Sequence, residues 1–510
     1  MSKEIEALLE RGVRDFVVCG GARNAPILDC LSRQEDIAVH SHFEERGAGF
    51  FALGRTMATG EPCAVVVTSG TAVAELFPAV IEAYYQARPL IIVSADRPAR
   101  FRGSGAPQAI EQVGIFGQYA AVEIGEWEGA GPLHVNLELE ESMSPPECHV
   151  TPGTWESGGR PKVDLSGLAR WLRGSPIDGL VVMVGGLEVH DREECYYFCR
   201  ALGAPVVADA TSGLREAVDD LALVDADALL RQEPPGKVLR IGEVPVGRFW
   251  RDLEELPQVE VFSITRTGFS GLARDSTVIH GDVARVLRGL GEMDEFGDSL
   301  DLLPLGRRRA NELAELLEAY PESEPAMIRE LSMFAAAGDS VFLGNSLPIR
   351  EWNDFAQREL PVTLVRASRG ANGIDGQLST WLGATLEEGK AWGIFGDLTV
   401  LYDLAAPHLL EEVEQEERVI AVMNNDGGRI FERLPRLKTM PERAREWMTT
   451  RHGRDFGDWA GMWGLGYLRL TAREDFDELE KLTPGTTVVE IVPDAVQTAE
   501  FWARWSQGAS

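Results

Sequence analysis

The sequence is short of basic residues and of cysteine. Lys and Arg number 49 against 81 Asp and Glu, which gives the 510-residue chain a formal net charge of −32. A surface this acidic repels the phosphate backbone of DNA or RNA, so the composition disfavours nucleic acid as a partner. The six cysteines form no Cys-x-x-Cys pair and no zinc-ligand spacing with a histidine. No zinc site is therefore expected, and a reducing, cytoplasmic location fits best.

Long apolar runs and common nucleotide-binding motifs are also missing. No stretch approaches the roughly 18 consecutive apolar residues that indicate a membrane span, and the N-terminus lacks a basic segment followed by an apolar one. We therefore expect neither membrane insertion nor an export signal. The chain has no Gly-x-Gly-x-x-Gly after a strand, no Walker A loop, no Gly-x-Ser-x-Gly elbow and no His-Glu-x-x-His helix. These absences remove the simplest nicotinamide, ATP, serine-hydrolase and metalloprotease interpretations.

Short β-branched runs alternate with longer amphipathic stretches, which predicts an α/β fold with parallel sheets flanked by helices. The predicted strands are 64–68 (AVVVT), 90–94 (LIIVS), 181–184 (VVMV), 341–344 (VFLG), 392–396 (WGIFG) and 419–424 (VIAVMN). Two segments rich in turn-forming residues, 142–160 and 297–306, are interpreted as linkers. They predict three domains, 1–158, 159–305 and 306–510.

Two strand ends carry the pattern of a metal site. Asp397 follows Gly396 at the end of one predicted strand, and Asn425 follows the next predicted strand, 28 residues after Asp397. Parallel strands place ligands at their carboxyl ends, so these two side chains and the backbone carbonyl of Gly427 are expected to supply oxygen ligands there. Mg²⁺ prefers oxygen ligands and commonly completes its shell with phosphate and water. The pattern therefore predicts a magnesium-bound diphosphate.

This arrangement resembles the metal motif of thiamin-diphosphate-dependent enzymes, and the wider sequence resembles one family among them, the 2-succinyl-5-enolpyruvyl-6-hydroxy-3-cyclohexene-1-carboxylate synthases. The resemblance is carried by HSHFEERGAGFFALG (40–54), VVVTSGTAVAELFPAVIEA (65–83), SADRP (94–98), GAPQAI (105–110), GNSLPIR (344–350), SRGANGIDG (368–376), GDLTVLYDL (396–404) and NNDGGRIF (424–431). It covers nearly the whole chain. It implies a three-domain thiamin-diphosphate-binding fold, with pyrimidine-binding, middle and diphosphate-binding domains in that order. It also implies a homodimer or homotetramer whose active sites lie between subunits.

The resemblance implies the residues that bind the cofactor. Glu45 would hydrogen-bond the pyrimidine nitrogen of thiamin diphosphate and so promote removal of the thiazolium proton. A carboxyl group in a partly apolar site has a physical reason to keep its proton, because desolvation disfavours the ionised form. Asp397, Asn425 and Gly427 would hold Mg²⁺ or Mn²⁺. The full set of implied cofactor contacts is Glu45, Ser69, Gly70, Ser346, Gly396, Asp397, Leu398, Asn425, Gly427, Ile430 and Phe431.

The resemblance also implies the substrates. 2-Oxoglutarate would be decarboxylated, and the resulting succinyl-semialdehyde carbanion equivalent would add to isochorismate in the 1,4 sense, giving the family's named product in menaquinone biosynthesis. Both substrates are dianions, which a chain of net charge −32 repels unless cations converge locally. The implied substrate-binding residues are Arg23, Arg97, Gln108, Arg248, Ser346, Arg350, Arg369 and Leu434. Arg23, Gln108, Arg350 and Arg369 are expected, with Glu45, to be catalytic.

Alternatives and departures remain. A simpler 2-oxoacid decarboxylase or acetolactate-type carboligase, and a non-catalytic relative, would share parts of the pattern. His40 and His42 precede Glu45, which makes an acid–base role conceivable, but they are interpreted as packing groups or as groups that support the site. Where the family usually reads Pro-Gly-Ser-Arg-Ser, this chain reads Gly-Gly-Ala-Arg-Asn at 20–24. Ala22 therefore lacks a hydroxyl group, for which Asn24 or a water molecule could substitute.

Overall fold

The fold is described from a computed structural model that covers most of the chain. The described residues are 2–140, 151–156, 163–174, 179–291, 295–335, 339–360, 364–387, 389–412, 417–433, 437 and 439–507. Leu434 and most of the predicted linker 142–160 lie outside them.

The strands form three sheets, and every strand pairing among the described residues is parallel. In chain order the strands are β1 (Asp15–Val18), β2 (Ala38–Ser41), β3 (Cys63–Val67), β4 (Leu90–Asp96), β5 (Leu133–Glu138), β6 (Leu180–Val184), β7 (Val206–Ala208), β8 (Lys237–Ile241), β9 (Glu260–Thr265), β10 (Thr277–His280), β11 (Ser340–Leu343), β12 (Leu364–Arg366), β13 (Ala391–Gly396), β14 (Arg418–Met423), β15 (Gly466–Leu470) and β16 (Thr486–Ile491). Their spatial orders are β2-β1-β3-β4-β5, β10-β9-β8-β6-β7 and β12-β11-β13-β14-β16-β15. All six predicted strands are present.

Helices connect these strands, as parallel pairing requires. The α-helices are Ser2–Glu10, Ala25–Ser32, Glu45–Thr59, Thr71–Ala74, Phe77–Tyr85, Ser166–Leu172, Arg192–Leu202, Ala226–Gln232, Arg248–Asp252, Val283–Leu290, Leu302–Ala319, Glu324–Phe334, Leu347–Phe355, Gln377–Ala384, Asp397–Tyr402, Glu442–Thr449, Gly457–Met462 and Ala495–Gln507. Strands such as β3, β4 and β14 are buried along their whole length, as expected for a sheet covered on both faces. The predicted α/β fold is confirmed. No helix among the described residues is both long and apolar enough to cross a membrane.

The chain divides into two compact units that are discontinuous in sequence. The first comprises Met1–Gly159, Ser368–Glu388 and Thr399–Gln415, and it contains the first sheet. The second comprises the remaining three segments, Arg160–Ala367, Gly389–Leu398 and Glu416–Ser510, and it contains the other two sheets.

The predicted linker 297–306 is wrong over its second half. Leu302 and the four residues after it form the start of the Leu302–Ala319 helix, and Leu302 is fully buried. The Asp298 carboxylate accepts hydrogen bonds from Leu302 N at 2.9 Å and Leu303 N at 2.7 Å. Pro304 suggested a break in the chain, but proline is tolerated in the first turn of a helix because the N–H groups there have no intrahelical partner.

In the first unit, two helices from distant parts of the sequence cross with their backbones in contact. A Cβ atom on Gly54 would lie 2.0 Å from the Thr380 carbonyl oxygen, and one on Gly383 would lie 2.0 Å from the Phe51 carbonyl oxygen. Only glycine permits this approach. The Arg55 guanidinium, which lies 2.8 Å from the Glu387 carboxylate, adds an ion pair beside the crossing. The Glu45–Thr59 helix is thereby fixed to the Gln377–Ala384 helix.

We expect Gly54→Ala to destabilise the first unit. The added methyl group has no space at the crossing, and overpacking of this kind costs about 1–3 kcal/mol. Gly461→Ala is the matched control, because Gly461 is also helical and a Cβ there would meet nothing within 4 Å. Thermal denaturation followed by circular dichroism should show a lower midpoint for the first variant and an unchanged or slightly higher one for the second. Equal midpoints would contradict the crossing.

Candidate active site

The loops at the carboxyl edge of the first sheet carry most of the predicted residues of the first unit. Arg23 lies in the loop after β1, and Glu45 begins the helix after β2. Ser69 and Gly70 follow β3, and Arg97 follows β4 directly. Because the strands are parallel, these loops leave the same edge of the sheet, which is where α/β proteins bind ligands.

Glu45 is the first residue of its helix and does not act as the N-cap. That task falls to the preceding residue, Glu44, whose carboxylate accepts hydrogen bonds from Arg46 N at 3.1 Å and Gly47 N at 2.7 Å. Glu45 is half-buried, and burial raises its pKa above the ordinary glutamate value, helped by the nearby charges of Glu44 and Glu75. The Glu45 carboxyl group therefore holds its proton to a higher pH than an exposed glutamate does.

The two histidines before Glu45 have structural surroundings. His40 Nε2 lies 3.2 Å from the Asp15 carboxylate. His42 is buried and stacks on His408 with ring centroids 5.4 Å apart. Burial and the neighbouring His408 lower the pKa of His42 to about 4, so its ring is neutral near pH 7. Both observations agree with the interpretation of these histidines as packing groups.

The loop that carries Gln108 is tied to the strand ends. Arg97 Nε donates a hydrogen bond to the Pro107 carbonyl at 2.8 Å. Gln112 accepts one from Gly70 N at 2.8 Å and donates one to the Ala95 carbonyl at 3.1 Å. Gln108 itself has a φ of 52°, an uncommon left-handed conformation for a residue other than glycine. These bonds bring Gln108 against Gly70.

The loop after β1 departs from the expectation for Asn24. Its side chain is fully buried and serves its own loop, donating to the Cys19 carbonyl at 2.8 Å and accepting from Gly21 N at 2.8 Å. These contacts give the Asn24 amide a role within its own loop and argue against its replacing the hydroxyl missing at Ala22. Arg23 donates from Nη1 to the Leu139 carbonyl at 2.9 Å, which joins the loops after β1 and β5.

Arg369 lies in a segment held by one buried carboxylate. Glu82 accepts hydrogen bonds from Gly370 N at 2.7 Å, Ala371 N at 2.6 Å and Asn372 N at 3.2 Å. Gln86 adds a fourth donor at 2.6 Å. This set of backbone donors satisfies an otherwise costly buried charge and fixes the backbone that follows Arg369 within the first unit.

In the second unit, the ends of β13 and β14 lie side by side. Gly396 pairs with Met423 in the sheet, so the next residues of both strands emerge together. One Asp397 oxygen accepts hydrogen bonds from Gly427 N at 2.7 Å and lies 3.0 Å from His452 Nε2. The other accepts from Leu398 N at 2.6 Å. Burial raises the pKa of Asp397, and these donors oppose that shift.

Asn425 presents an oxygen atom that nothing in the described protein satisfies. Its Nδ2 donates to the Glu324 carboxylate at 2.8 Å, whereas its Oδ1 is buried and lacks a hydrogen-bond partner among the described residues. Gly427, close by, has a φ of 114°, and a Cβ there would lie 2.3 Å from the Thr449 carbonyl oxygen. A buried, unsatisfied carboxamide oxygen beside a carboxylate fits the oxygen-ligand chemistry of Mg²⁺ or Mn²⁺.

The remaining predicted residues of this unit fall into two groups. Ser346, with a φ of 72°, follows β11, and Arg350 donates to its carbonyl oxygen from the next helical turn. Ile430 and Phe431 lie half-buried on a 3₁₀ turn just after Gly427. Arg248 begins the Arg248–Asp252 helix, which follows β8, and its exposed guanidinium is 3.3 Å from the Asp252 carboxylate on the same helix. That contact does not connect Arg248 with the other predicted site residues of this unit.

Another group of potential metal ligands has structural tasks. His190, Asp191 and Asp282 are close enough to share an ion. However, Asp191 accepts a hydrogen bond from Ala284 N at 2.9 Å, and Asp282 accepts one from Arg285 N at 2.8 Å. Both carboxylates therefore act at the start of the Val283–Leu290 helix.

The residues that support the site were not predicted from the sequence. The N-cap role of Glu44 could have been predicted, since an acidic side chain just before a helix can accept hydrogen bonds from its first N–H groups. Glu82, Gln112, Glu324 and His452 gave no local signal, because each acts on a loop far away in the sequence. Glu82, for example, lies 288 positions before Gly370.

Comparison with known proteins agrees with the geometry. Residues 4–115 match the family model described as thiamine pyrophosphate enzyme, N-terminal TPP binding domain. The chain is 48% identical to the 2-succinyl-5-enolpyruvyl-6-hydroxy-3-cyclohexene-1-carboxylate synthase of Akkermansia muciniphila, over 97% of this chain and 96% of that protein. The protein of the same name from Bdellovibrio bacteriovorus is 37% identical over 99% and 98% of the two chains. That from Chloroflexus aurantiacus is 32% identical over 91% and 88%.

The contacts of Glu82 lead to a prediction for the segment they hold. Glu82→Gln removes the charge and places an N–H group where only acceptors fit, so the protein should lose about 2 kcal/mol of stability. Hydrogen exchange measured by mass spectrometry should become faster in peptides covering 368–376. Glu61→Gln, at an exposed glutamate of the same unit, serves as the control. Unchanged exchange in 368–376 would show that Glu82 does not hold the segment.

Proposed function

The chain belongs to the family of 2-succinyl-5-enolpyruvyl-6-hydroxy-3-cyclohexene-1-carboxylate synthases, and we propose that it makes that compound in menaquinone biosynthesis from 2-oxoglutarate and isochorismate, with release of CO₂. It is a thiamin-diphosphate-dependent enzyme that forms a carbon–carbon bond. The proposal is carried by 48% identity over 97% of the chain to a protein of that name. The arrangement of Glu45 in the first unit, and of Asp397 and Asn425 in the second, supports it.

We propose that Asp397, the Oδ1 atom of Asn425 and the carbonyl of Gly427 hold Mg²⁺ or Mn²⁺, which in turn binds the diphosphate. The unsatisfied Asn425 oxygen is the observation that supports this set. Gly396, Leu398, Ile430, Phe431 and Ser346 belong to the same loops and are proposed as cofactor contacts. Ser69 and Gly70 are proposed for the first unit, where the Ser69 hydroxyl is buried and has no partner among the described residues.

Glu45 holds the proton on which the chemistry depends. When bound, the cofactor supplies a thiazolium ring that accepts the electrons released by decarboxylation. Burial raises the pKa of Glu45 and so favours the protonated carboxyl group, which we propose donates a hydrogen bond to a pyrimidine nitrogen. Glu44 supports this role because it satisfies the helix N-terminus and leaves Glu45 available.

The arginines are proposed to bind the substrate carboxylates. The planar guanidinium group suits bidentate contact with a carboxylate, and local cations offset the repulsion from a chain of net charge −32. Three of these arginines, Arg23, Arg97 and Arg369, lie on loops of the first unit that hydrogen bonds to backbone groups hold in place. Gln108 lies beside Gly70 in the same unit. Arg350 is proposed for the second unit. Arg248 and Leu434 remain proposals from the family resemblance.

We further propose the three-domain division 1–158, 159–305 and 306–510 and an assembly of two or four copies in the cytoplasm, with each active site shared between subunits. Large apolar side chains are exposed near Glu45 in the first unit. Phe43 is 62% exposed, and Tyr402 is 51% exposed and receives a hydrogen bond from Arg46 at its carbonyl oxygen. Exposed apolar clusters of this kind commonly mark protein interfaces.

The assay that tests the function supplies thiamin diphosphate, Mg²⁺, 2-oxoglutarate and isochorismate together. We expect one CO₂ released for each adduct formed, measured by mass spectrometry of the products. Release of succinic semialdehyde without adduct would favour a simple decarboxylase. Cofactor binding without any turnover would favour a non-catalytic relative.

Glu45→Gln should separate cofactor binding from cofactor activation. The variant should bind thiamin diphosphate but exchange the thiazolium proton with heavy water about 100-fold more slowly or worse, because the proton-donating group is lost. Exchange is followed by rapid quenching and NMR. Glu44→Gln is the control and should exchange within about 3-fold of the original rate while losing about 1 kcal/mol of stability from the weaker cap. Equal exchange rates in both variants would refute the role of Glu45.

A further inference from the structure

Two buried carboxyl groups lie beneath the candidate metal site. Glu324 begins the Glu324–Phe334 helix, and Glu351 lies on the Leu347–Phe355 helix; each is 1% exposed. They share one cation, because Arg433 lies 2.7 Å from Glu351 and 3.6 Å from Glu324. The Arg433 guanidinium also packs over the Trp502 ring, 3.8 Å from its centre. A buried pair with a single cation is costly, so it needs a specific reason.

Glu324 is not needed as a helix cap. The preceding residue, Ser323, accepts the hydrogen bond from Ala326 N, and the Glu324 N–H itself donates to the Thr498 hydroxyl at 3.0 Å. The Glu324 carboxylate is therefore available to neighbouring side chains. One of its oxygens receives Asn425 Nδ2 at 2.8 Å, and the other faces Arg433.

This contact decides which way the Asn425 amide points. A carboxamide has a donor end and an acceptor end of nearly equal size, so its shape alone does not select an orientation. The Glu324 carboxyl oxygen accepts the hydrogen bond from Nδ2 at 2.8 Å. This contact places Nδ2 on the Glu324 side and leaves Oδ1 on the opposite side, where it is buried and unpartnered among the described residues.

We propose that Glu324 is a positioning residue, which orients the Asn425 carboxamide so that its oxygen is presented to the metal ion. The inference rests on the proposed metal site. It also accounts for the residue type at position 425, because a carboxylate there would lie at hydrogen-bond distance from the Glu324 carboxyl group. A neutral oxygen ligand avoids this contact between two acids, and Glu324 holds it in the ligating orientation before the metal arrives.

The test measures metal affinity directly, with no turnover. Mn²⁺ is titrated into the full-length protein in the presence of thiamin diphosphate, and free Mn²⁺ is followed by electron paramagnetic resonance. Glu324→Met removes the acceptor at similar volume and should weaken Mn²⁺ binding about 10-fold or more, the usual effect of losing a group that orients a metal ligand. Glu324→Gln retains a carbonyl acceptor for Nδ2 and should stay within about 3-fold of the original affinity.

Glu351→Met is the matched control, because Glu351 is equally buried and pairs with the same arginine. It should lower thermal stability as Glu324→Met does, yet keep Mn²⁺ affinity within about 3-fold. An equal loss of Mn²⁺ affinity in Glu324→Met and Glu351→Met would show that Glu324 has only a structural role, and it would overturn the inference. An unchanged affinity in Glu324→Met would also overturn it, as would equal losses in Glu324→Met and Glu324→Gln.

Two further results complete the test. If Glu324→Met does not fold, Glu324→Asp replaces it, since it keeps the charge near Arg433 but withdraws the acceptor from Nδ2. A 10-fold loss of affinity is again expected, and an unchanged affinity overturns the inference. If the unaltered protein binds no Mn²⁺ with thiamin diphosphate, the proposed metal site fails, and the role of Glu324 fails with it. Normal binding by the unaltered protein and by Glu324→Met rejects the inference alone.

Discussion

Carboxylates that accept backbone N–H groups hold the functional loops of this protein. Parallel sheets place their ligand-binding side chains on loops, and loops lack the regular hydrogen bonding of strands and helices. Here Glu44 fixes the start of the Glu45 helix, Glu82 fixes the segment after Arg369, and Asp397 joins the ends of β13 and β14. Charge-assisted hydrogen bonds are stronger than neutral ones. Part of the acidic composition thus has an internal use, in ordering backbone.

Two neighbouring acids in the first unit show how position separates such tasks. Glu44 and Glu45 are adjacent in sequence, but only Glu44 has the extended backbone of an N-cap, and its oxygens reach the first free N–H groups of the helix. Glu45 has helical backbone, and partial burial of its carboxyl group favours the protonated form. The same division occurs in the second unit, where Ser323 caps the helix and Glu324 is available to Asn425.

Local patterns made the fold predictable and placed the proposed metal ligands on neighbouring strands. The apolar run LIIVS is a buried strand, and Gly396-Asp397 and Asn424-Asn425 lie at the ends of two strands that pair in the sheet. The residues that support these loops could not be predicted from the sequence, because their hydrogen-bond partners are far away along the chain. Glu82, for example, has the sequence context of an ordinary helical glutamate, and its role depends on the contact with Gly370. Leu302 was misassigned for a related reason, since its burial depends on tertiary contacts that outweigh the turn-forming residues around it.

The crossing of the Glu45–Thr59 and Gln377–Ala384 helices bears on how the chain folds during synthesis. The first compact unit needs residues 368–388 and 399–415, which leave the ribosome only after the whole middle of the chain. Until then the glycine-lined face of the Glu45–Thr59 helix has no partner helix, and the Glu82 carboxylate has no backbone donors from 370–372. The segment 1–159 is thus translated before the segments that complete its unit, and it must stay soluble while about two hundred residues follow.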